Sequence, residues 1–315
     1  MSCLLFFIVW KCYNFPTFFL SNKLTMKNST IDWTFNGTWQ YEPKWFESQD
    51  GKMHYIDEGS PTGRPVILVH GNPTWGYLYR HFIQPLTKAG YRVIVPDHLG
   101  FGRSEKPDQT NLYAVPRHAE RFEALIESLN LQNAVLVAHD WGGPISLWWA
   151  VRHSHKVAGM FLLNTGAYVV RQKEKIPLIL RLFRTKYIGE MLVKGLELFK
   201  KGMLFKAGII KHERMNDQIK QAYLALHPTW ASRTPVLAFP RQIPIEPQNP
   251  LTGYFEYLES QLIALYRNKP VEIMWGMQDI AWSSDVLNKE WKRILPDAQI
   301  TPCARCRAFY SRRCL

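Results

Sequence analysis

The chain has 315 residues, of which 46% are hydrophobic and 21% are charged. This balance is typical of a folded globular protein and excludes a disordered or fibrous chain. The net charge is +13, but eleven Lys and Arg residues lie within 171–211, spaced through an amphipathic helical pattern without a nucleic-acid-binding motif. We therefore expect no nucleic acid as a partner.

The two ends of the chain differ in composition from the rest. The apolar run 4–10 is shorter than a membrane span and lacks the flanks of a signal peptide. We expect residues 1–25 to be a leader of doubtful authenticity, with Met26 as the true initiator. We expect no membrane as a partner; association of this leader with a membrane is the weaker alternative. All five cysteines lie near the two ends of the chain: Cys3, Cys12, Cys303, Cys306 and Cys314. This distribution excludes a disulfide framework and predicts a cytoplasmic protein without a metal site.

Short apolar runs alternate with helical patterns from residue 45 onward. Residues 45–47 and 53–56 flank the pair Asp50-Gly51, which predicts a β-hairpin. Helical patterns at 118–129 and 144–153 separate some of the later runs. Five further runs are predicted to be buried strands: 66–69, 91–95, 134–138, 160–163 and 271–275. This order predicts an α/β fold with a mostly parallel, doubly wound sheet, whose ligand site lies at the carboxyl ends of the strands.

The strand pattern is interrupted in the second half of the chain. Residues 176–211 and 215–226 have helical periodicity instead. We therefore predict a core formed by 26–165 and 251–302, with a helical cap, 166–250, inserted above the sheet.

The sequence around Asp140 carries the strongest chemical signal. Asp140 lies at a predicted strand-to-helix turn, with the small residues Ala138 and Gly142 two positions before and after it, as in a nucleophile elbow. A carboxylate there attacks carbon and forms an ester, which suits displacement of halide from an alkyl carbon or opening of an epoxide. The alternative is a helix N-cap Asp, which is common at such turns.

A second motif, 70–75, ends an earlier strand that would neighbour this turn. The side-chain amide of Asn72, with the indole and backbone N–H groups of Trp141, could surround an anion opposite Asp140. Taken singly, Asn72 is more simply explained as a turn residue before proline, and Trp141 as a core residue.

Together with residues 96–104, these motifs make the chain resemble the haloalkane dehalogenases over about residues 45–300. The resemblance implies an α/β-hydrolase fold in which Asp140 is the nucleophile and Asn72 and Trp141 bind the halide, the Trp141 amide also forming part of the oxyanion hole. In some members the catalytic acid would stand at Asn164, and in others at Asp279. We therefore predict Asp279 as the acid.

Other polar residues near these motifs receive weaker interpretations. Asp285 is the fallback for the acid, although it fits better in the following helix. His139 and His70 are interpreted as structural residues. An epoxide hydrolase would need two cap tyrosines, for which Tyr187 and Tyr223 are available.

The C-terminal residues 303–315 depart from the family. In the family the catalytic histidine lies beyond the last strand, in a stretch resembling Asp-Ala-Gly-His-Phe, and a closing helix follows. All ten histidines of this chain lie at or before His227. Codons for 303–315 can be chosen that, read one base later, give Ala-Gln-Asp-Ala-Gly-His-Phe-Ile-Leu-Glu-Asp-Ala. We therefore predict a frameshift near Cys303, with a divergent tail as the alternative.

The sequence thus predicts a haloalkane dehalogenase-like hydrolase that forms an ester at Asp140 and is impaired in cleaving it. The expected partners are water and a small apolar halogenated or epoxide substrate, without a cofactor. An epoxide hydrolase and a non-catalytic protein on the same scaffold are the alternatives.

Overall fold

The computed structural model describes residues 31–169, 177–202, 216–246, 248–279, 281–304 and 306. The predicted leader, 1–25, lies outside these residues. So does the predicted tail, except for Cys303, Ala304 and Cys306.

Eight strands form one sheet in the order β1-β2-β4-β3-β5-β6-β7-β8, in which β1, β2 and β4 pair antiparallel and all other neighbours pair parallel. The predicted hairpin and the five predicted buried strands are confirmed, and so is the α/β-hydrolase fold. The strands are β1 Lys44–Ser48, β2 Gly51–Gly59, β3 Pro65–Val69, β4 Arg92–Pro96, β5 Ala134–Asp140, β6 Val157–Thr165, β7 Val271–Gly276 and β8 Gln299–Cys303.

The edge strand β8 has no counterpart among the predicted strands. Its first four residues are exposed or half-buried, so it lacks the apolar run by which a strand buried on both faces is recognised. The central strands show that pattern fully. In β3, Ile67 and Val69 pack into one hydrophobic cluster and Val66 and Leu68 into another, on opposite faces of the sheet.

Helices cover the sheet and occupy much of the described part of the predicted insertion. They are α1 Ile83–Lys88, α2 Val115–Ser128, α3 Gly142–Arg152, α4 Leu178–Arg184, α5 Lys186–Glu190, α6 Asp217–Leu224, α7 Thr234–Arg241, α8 Thr252–Tyr266, α9 Ser284–Val286 and α10 Lys292–Ile294. The predicted helices at 118–129 and 144–153 are confirmed as α2 and α3.

The continuous helical pattern predicted for 176–211 is broken in the structure. Thr185 has an extended backbone and its side chain accepts a hydrogen bond from the N–H of Gly189, so that α4 ends and α5 begins at this residue. A π-helical segment, Met191–Gly195, follows α5. Residue 176 and residues 203–211 of the prediction lie outside the described residues.

The inserted helices lie against the loops that follow β3, β4 and β5. The indole N–H of Trp75 donates to the carbonyl of Ala222 in α6 at 2.9 Å. Nε2 of His227 lies 3.0 Å from the carbonyl oxygen of Gly100, and Phe239 of α7 packs on Trp141 with ring centroids 5.2 Å apart. These contacts place the insertion over the carboxyl ends of the parallel strands, where α/β folds bind ligands.

The cysteines near the C-terminus differ from the expectation. Cys303, at the end of β8, forms a disulfide with Cys306, whereas the sequence predicts no disulfide framework. Two cysteines three residues apart meet here because the chain turns immediately after β8.

No group of His, Cys, Asp and Glu suited to a metal ion occurs in the described ranges. Among the helices described above, none is long and apolar enough to cross a membrane.

Candidate active site

Asp140 lies at the last position of β5, directly before the turn into α3. Its φ is +52°, a left-handed conformation that costs a non-glycine residue about 1–3 kcal/mol and often marks a functional site. The hydroxyl of Thr165 donates to the Asp140 carbonyl at 2.5 Å and fixes the turn. The N-cap position of α3 belongs to Trp141, so the alternative of an N-cap Asp140 does not describe this turn.

Three N–H groups surround the Asp140 carboxylate. The backbone N–H of Asn72 donates to Oδ1 at 2.8 Å, and the backbone N–H of Trp141 also donates to the carboxylate. The indole N–H of Trp282 donates to Oδ2 at 3.2 Å. Burial raises the pKa of Asp140, and the nearby His139 and these three donors oppose that rise. The carboxylate is therefore partly desolvated but held by directed donors, as suits a nucleophile.

The close approach of β3 to this turn requires a residue without a side chain at Gly71. A Cβ there would overlap Oδ1 and Cβ of Asp140 and the backbone nitrogen of Trp141. Gly143, in the first turn of α3, has the same constraint, because its Cβ would overlap the Thr165 hydroxyl. These two glycines allow a backbone donor to reach the carboxylate.

Replacing Gly71 by Ala is expected to lower the free energy of unfolding by about 1–3 kcal/mol, because the added methyl group overlaps the Asp140 turn. Urea unfolding measures the change. Gly253→Ala is the matched control, since no atom lies within 4 Å of a Cβ there, and it should be neutral or slightly stabilising. Equal stability of the two variants would contradict the close approach.

The side chain of Asn72 differs from the expected halide-binding geometry. Its Nδ2 donates to the carbonyl of Val236 in α7 at 3.1 Å, so it joins the insertion to the core. Its buried Oδ1 has no hydrogen-bond partner among the described residues. Asn72 therefore reaches Asp140 through its backbone and not through the predicted side-chain amide. The half-buried indole of Trp141 has no hydrogen-bond partner in the same part of the chain and packs on Phe239.

Asp279 follows β7 and is buried, with 7% of its surface exposed. Oδ1 accepts the backbone N–H groups of Ala281 at 2.8 Å and Trp282 at 3.1 Å. Oδ2 accepts Nδ2 of Asn164 at 3.0 Å, so the two positions considered for the acid lie in contact. Burial raises the pKa of Asp279 to about 7, and the negative charge of Asp140 adds to the rise. Asp285 lies in α9, as the sequence suggested.

The raised pKa of Asp279 predicts a pH-dependent stability. The folded chain binds a proton at Asp279 up to about pH 7, whereas an unfolded Asp releases it near pH 4, so folding becomes less favourable as the pH rises between these values. The free energy of unfolding should therefore decrease between about pH 4 and 7. Asp279→Asn should reduce this decrease by about 1–3 kcal/mol, as measured by urea unfolding at each pH.

Glu272 provides the matched control for that titration. Burial also raises its pKa to about 7, but it lies in β7 and bonds to the Thr301 hydroxyl. Glu272→Gln should remove a separate part of the same pH dependence. An unchanged slope in Asp279→Asn would show that Asp279 is ionised throughout this range.

His70 supports the loop after β3. Its Nδ1 lies 2.9 Å from the Gly71 carbonyl, and its Nε2 accepts the backbone N–H of His98 at 3.1 Å, which requires the neutral ring. Burial lowers the pKa of His70, in agreement with a neutral ring. Both ring nitrogens are thus engaged by the backbone.

The two tyrosines considered for an epoxide site lie elsewhere. Tyr187 is 76% exposed. Tyr223 is buried against Tyr77, with ring centroids 5.7 Å apart. Neither hydrogen-bonds to Asp140 among the described residues, so their positions give the epoxide alternative no support.

Sequence reasoning missed Trp282, which contacts both carboxylates. No motif marks it, since a single aromatic residue three positions after Asp279 carries no chemical signal. Thr165 was missed as well. Its role depends on the register between β5 and β6, where Asp140 pairs with Thr165 after an irregularity.

Comparisons with known proteins agree with this architecture. Residues 64–302 match the family described as alpha/beta hydrolase fold. A "Cis-3-alkyl-4-alkyloxetan-2-one decarboxylase" from Shewanella oneidensis is 36% identical over 264 residues, which cover 83% of this chain and 81% of the relative. "Haloalkane dehalogenase 2" from Mycobacterium bovis is 31% identical over 278 residues, which cover 85% and 89% of the two chains.

Solved structures of haloalkane dehalogenases are also similar to this chain. The crystal structure of haloalkane dehalogenase DbeA from Bradyrhizobium elkani matches with a TM-score of 0.77 and 25% identity, over 86% of this chain and 92% of the other. The order of the strands, the turn at Asp140 and these relatives lead to one assignment. The chain belongs to the haloalkane dehalogenase family within the alpha/beta hydrolase fold.

Proposed function

We propose that this chain cleaves carbon–halogen bonds by forming an alkyl ester at Asp140. The observation that carries the proposal is the Asp140 carboxylate itself, presented by a left-handed residue at the end of β5, with Oδ1 held by the Asn72 backbone N–H at 2.8 Å. Oδ2 accepts only the longer bond from the Trp282 indole N–H at 3.2 Å, and its remaining lone pairs are the ones that attack carbon.

In the first step, Oδ2 of Asp140 forms a bond to the halogen-bearing carbon while the carbon–halogen bond breaks and its electron pair leaves with the halide. The indole N–H of Trp141 is the donor for this anion, because it is otherwise unbonded among the described residues. Donors fixed before the reaction stabilise such developing charge without reorganisation. The Asn72 side-chain amide would have to break its hydrogen bond to the Val236 carbonyl before it could bind the halide.

The second step, hydrolysis of the ester, needs a base that activates water and an acid that holds the base. Asp279 is the proposed acid, since it is buried beside Trp282 and the charge of Asp140 contributes to its raised pKa. No histidine follows Asp279 in the 315 residues. We therefore expect the ester to accumulate in this chain.

Incubation with 1-bromohexane tests the proposal. Intact-mass spectrometry should show one hexyl group per chain, peptide mapping should place it on Asp140, and about one bromide should be released per chain. Labelling at another residue, or no labelling, would refute the nucleophile. Steady release of many bromides per chain would refute the missing base.

A second activity, decarboxylation of a cis-3-alkyl-4-alkyloxetan-2-one, is favoured by the 36% identity to a relative of that name. Attack of Asp140 on C4 would break the ring C4–O bond and free the carboxylate. Loss of CO2 would then form the C3=C4 double bond and expel the Asp140 carboxylate. This sequence balances without water and without a base, so it fits the same residues.

The two activities are separated by their products. A cis-3,4-dialkyl-oxetan-2-one should give an alkene and CO2 over many turnovers if the second activity is correct, as measured by gas chromatography. Recovery of unreacted lactone, together with hexyl labelling of Asp140, would leave the dehalogenase activity alone.

A further inference from the structure

Trp282 is fixed between the two carboxylates of the candidate site. Its backbone N–H donates to Asp279 at 3.1 Å, and its backbone carbonyl accepts the indole N–H of Trp275 at 3.1 Å. Its ring lies against Gly166, where a Cβ would overlap it. With these anchors, its own indole N–H reaches Oδ2 of Asp140 at 3.2 Å.

The two oxygens of Asp140 are thereby held by different parts of the fold. Oδ1 receives the backbone N–H of Asn72 from the loop after β3, whereas Oδ2 receives a side-chain donor from the loop after β7. Oδ2 is the oxygen left to attack carbon in the proposed function. A neutral donor on that oxygen stabilises the carboxylate and fixes its direction.

The charged surroundings make this donor important. His139, which precedes Asp140 in β5, lowers the pKa of the Asp140 carboxyl, and the charge of Asp140 in turn raises the pKa of Asp279, which accepts the Trp282 backbone N–H. Asn72 and Trp141 contribute only neutral groups. In a buried site an unpaired carboxylate oxygen is costly, and Trp282 is the side chain that supplies its partner.

We propose that Trp282 is a positioning residue, which keeps the attacking oxygen of Asp140 ionised through its indole N–H. The inference deepens the proposed function and rests on it for the identity of the attacking oxygen. Its substrate class is the same, a small apolar electrophile.

Trp282→Phe tests the role, because it retains an aromatic ring and removes the N–H. The rate of Asp140 alkylation by 1-bromohexane should be measured from pH 4 to 9. We expect its midpoint to move up by about one pH unit, a tenfold change in the ionisation constant, while the rate at high pH does not fall. A fall at high pH with an unmoved midpoint would show a structural role only.

Trp275→Phe is the matched control. It removes an equivalent indole N–H one hydrogen bond away from Trp282, so the midpoint should not move if the direct bond to Asp140 matters. An equal shift in both variants would overturn the proposal, because it would assign the effect to the loop as a whole.

A measurement on the carboxylate itself separates this inference from the proposed function. With 13C-labelled aspartate, the resonance that Asp140→Asn removes should titrate at a higher pH in Trp282→Phe than in the wild type. In the protein with Trp282 unchanged, the chemical shift of one indole 15N–H resonance should titrate with the same midpoint as the Asp140 carboxylate. This titration should be absent in Asp140→Asn.

The outcomes are distinct. If Asp140 is not alkylated but its carboxylate midpoint shifts in Trp282→Phe, the proposed function is refuted and the positioning role remains. Alkylation with unshifted midpoints would refute the positioning role alone.

Discussion

Replacing Asp140 by Asn is expected to lower the rate of alkylation by 1-bromohexane by at least about 10⁴-fold, as removal of a nucleophile does in other enzymes. The amide is almost the same size, and its oxygen can still accept the Asn72 N–H that reaches Oδ1 in the wild type. It has no anionic oxygen to attack carbon. A time course of intact-mass spectra measures the change.

Stability provides an independent readout of the same substitution. Asp140 combines a left-handed backbone with a buried carboxyl whose pKa is raised by burial. Asn tolerates that backbone and needs no ionisation. The NH2 group that replaces Oδ2 cannot accept the Trp282 indole N–H, which offsets part of this gain. The melting temperature should therefore change little while labelling is lost, as expected where function opposes stability.

The control for this experiment is Asp279→Asn. Asp279 belongs to the proposed second step, so its substitution should leave the single labelling within about tenfold of the wild type, a small effect beside the loss expected at the nucleophile. If Asp140→Asn were labelled as fast as the wild type, the nucleophile would have to be sought among other residues.

The second large effect concerns the residues after β8. Replacing 303–315 by Ala-Gln-Asp-Ala-Gly-His-Phe-Ile-Leu-Glu-Asp-Ala supplies a histidine beyond the last strand, in the order the family uses. Because a positioned base accelerates proton transfer by about 10²–10⁴-fold, hydrolysis of the Asp140 ester should rise by at least about 100-fold. Bromide release should then continue beyond one equivalent per chain.

The control carries Gln in place of that histidine. It shares every other change, including loss of the Cys303–Cys306 disulfide, so it separates the base from any effect on folding. Turnover in the Gln control would contradict the assignment of the base. Adding Asp279→Asn to the histidine-containing tail should lower turnover again, since the acid orients the base.

The central part of the site could be predicted because local rules fix it. A strand that ends in a carboxylate, between residues as small as Ala138 and Gly142, has few conformations, and the observed turn is the one expected. The parallel pairing of β3 with β5 brings Gly71 and Asn72 to the same edge of the sheet. From the sequence we expect these two strand ends to be neighbours in the fold, although β4 lies between β3 and β5 in the chain.

The remaining contacts could not be predicted, because each depends on elements distant in the chain. The Asn72 side chain bonds to Val236, 164 residues away, and only the position of α7 makes that partner available. Trp282 reaches Asp140 across 142 residues through the path of the loop after β7. Side-chain donors choose the nearest buried acceptor, and packing decides which acceptor that is.

By itself, then, the amino-acid sequence determined the alternation of strands and helices, the parallel sheet, and the strand-end position of Asp140, since hydrophobic period and turn residues act over short distances. The tertiary structure decided which donors face that carboxylate, why Asp279 holds its proton to about pH 7, and where α4 breaks from α5. Hydrogen-bond choice and desolvation depend on the surroundings of a group in the folded chain, which no local pattern encodes.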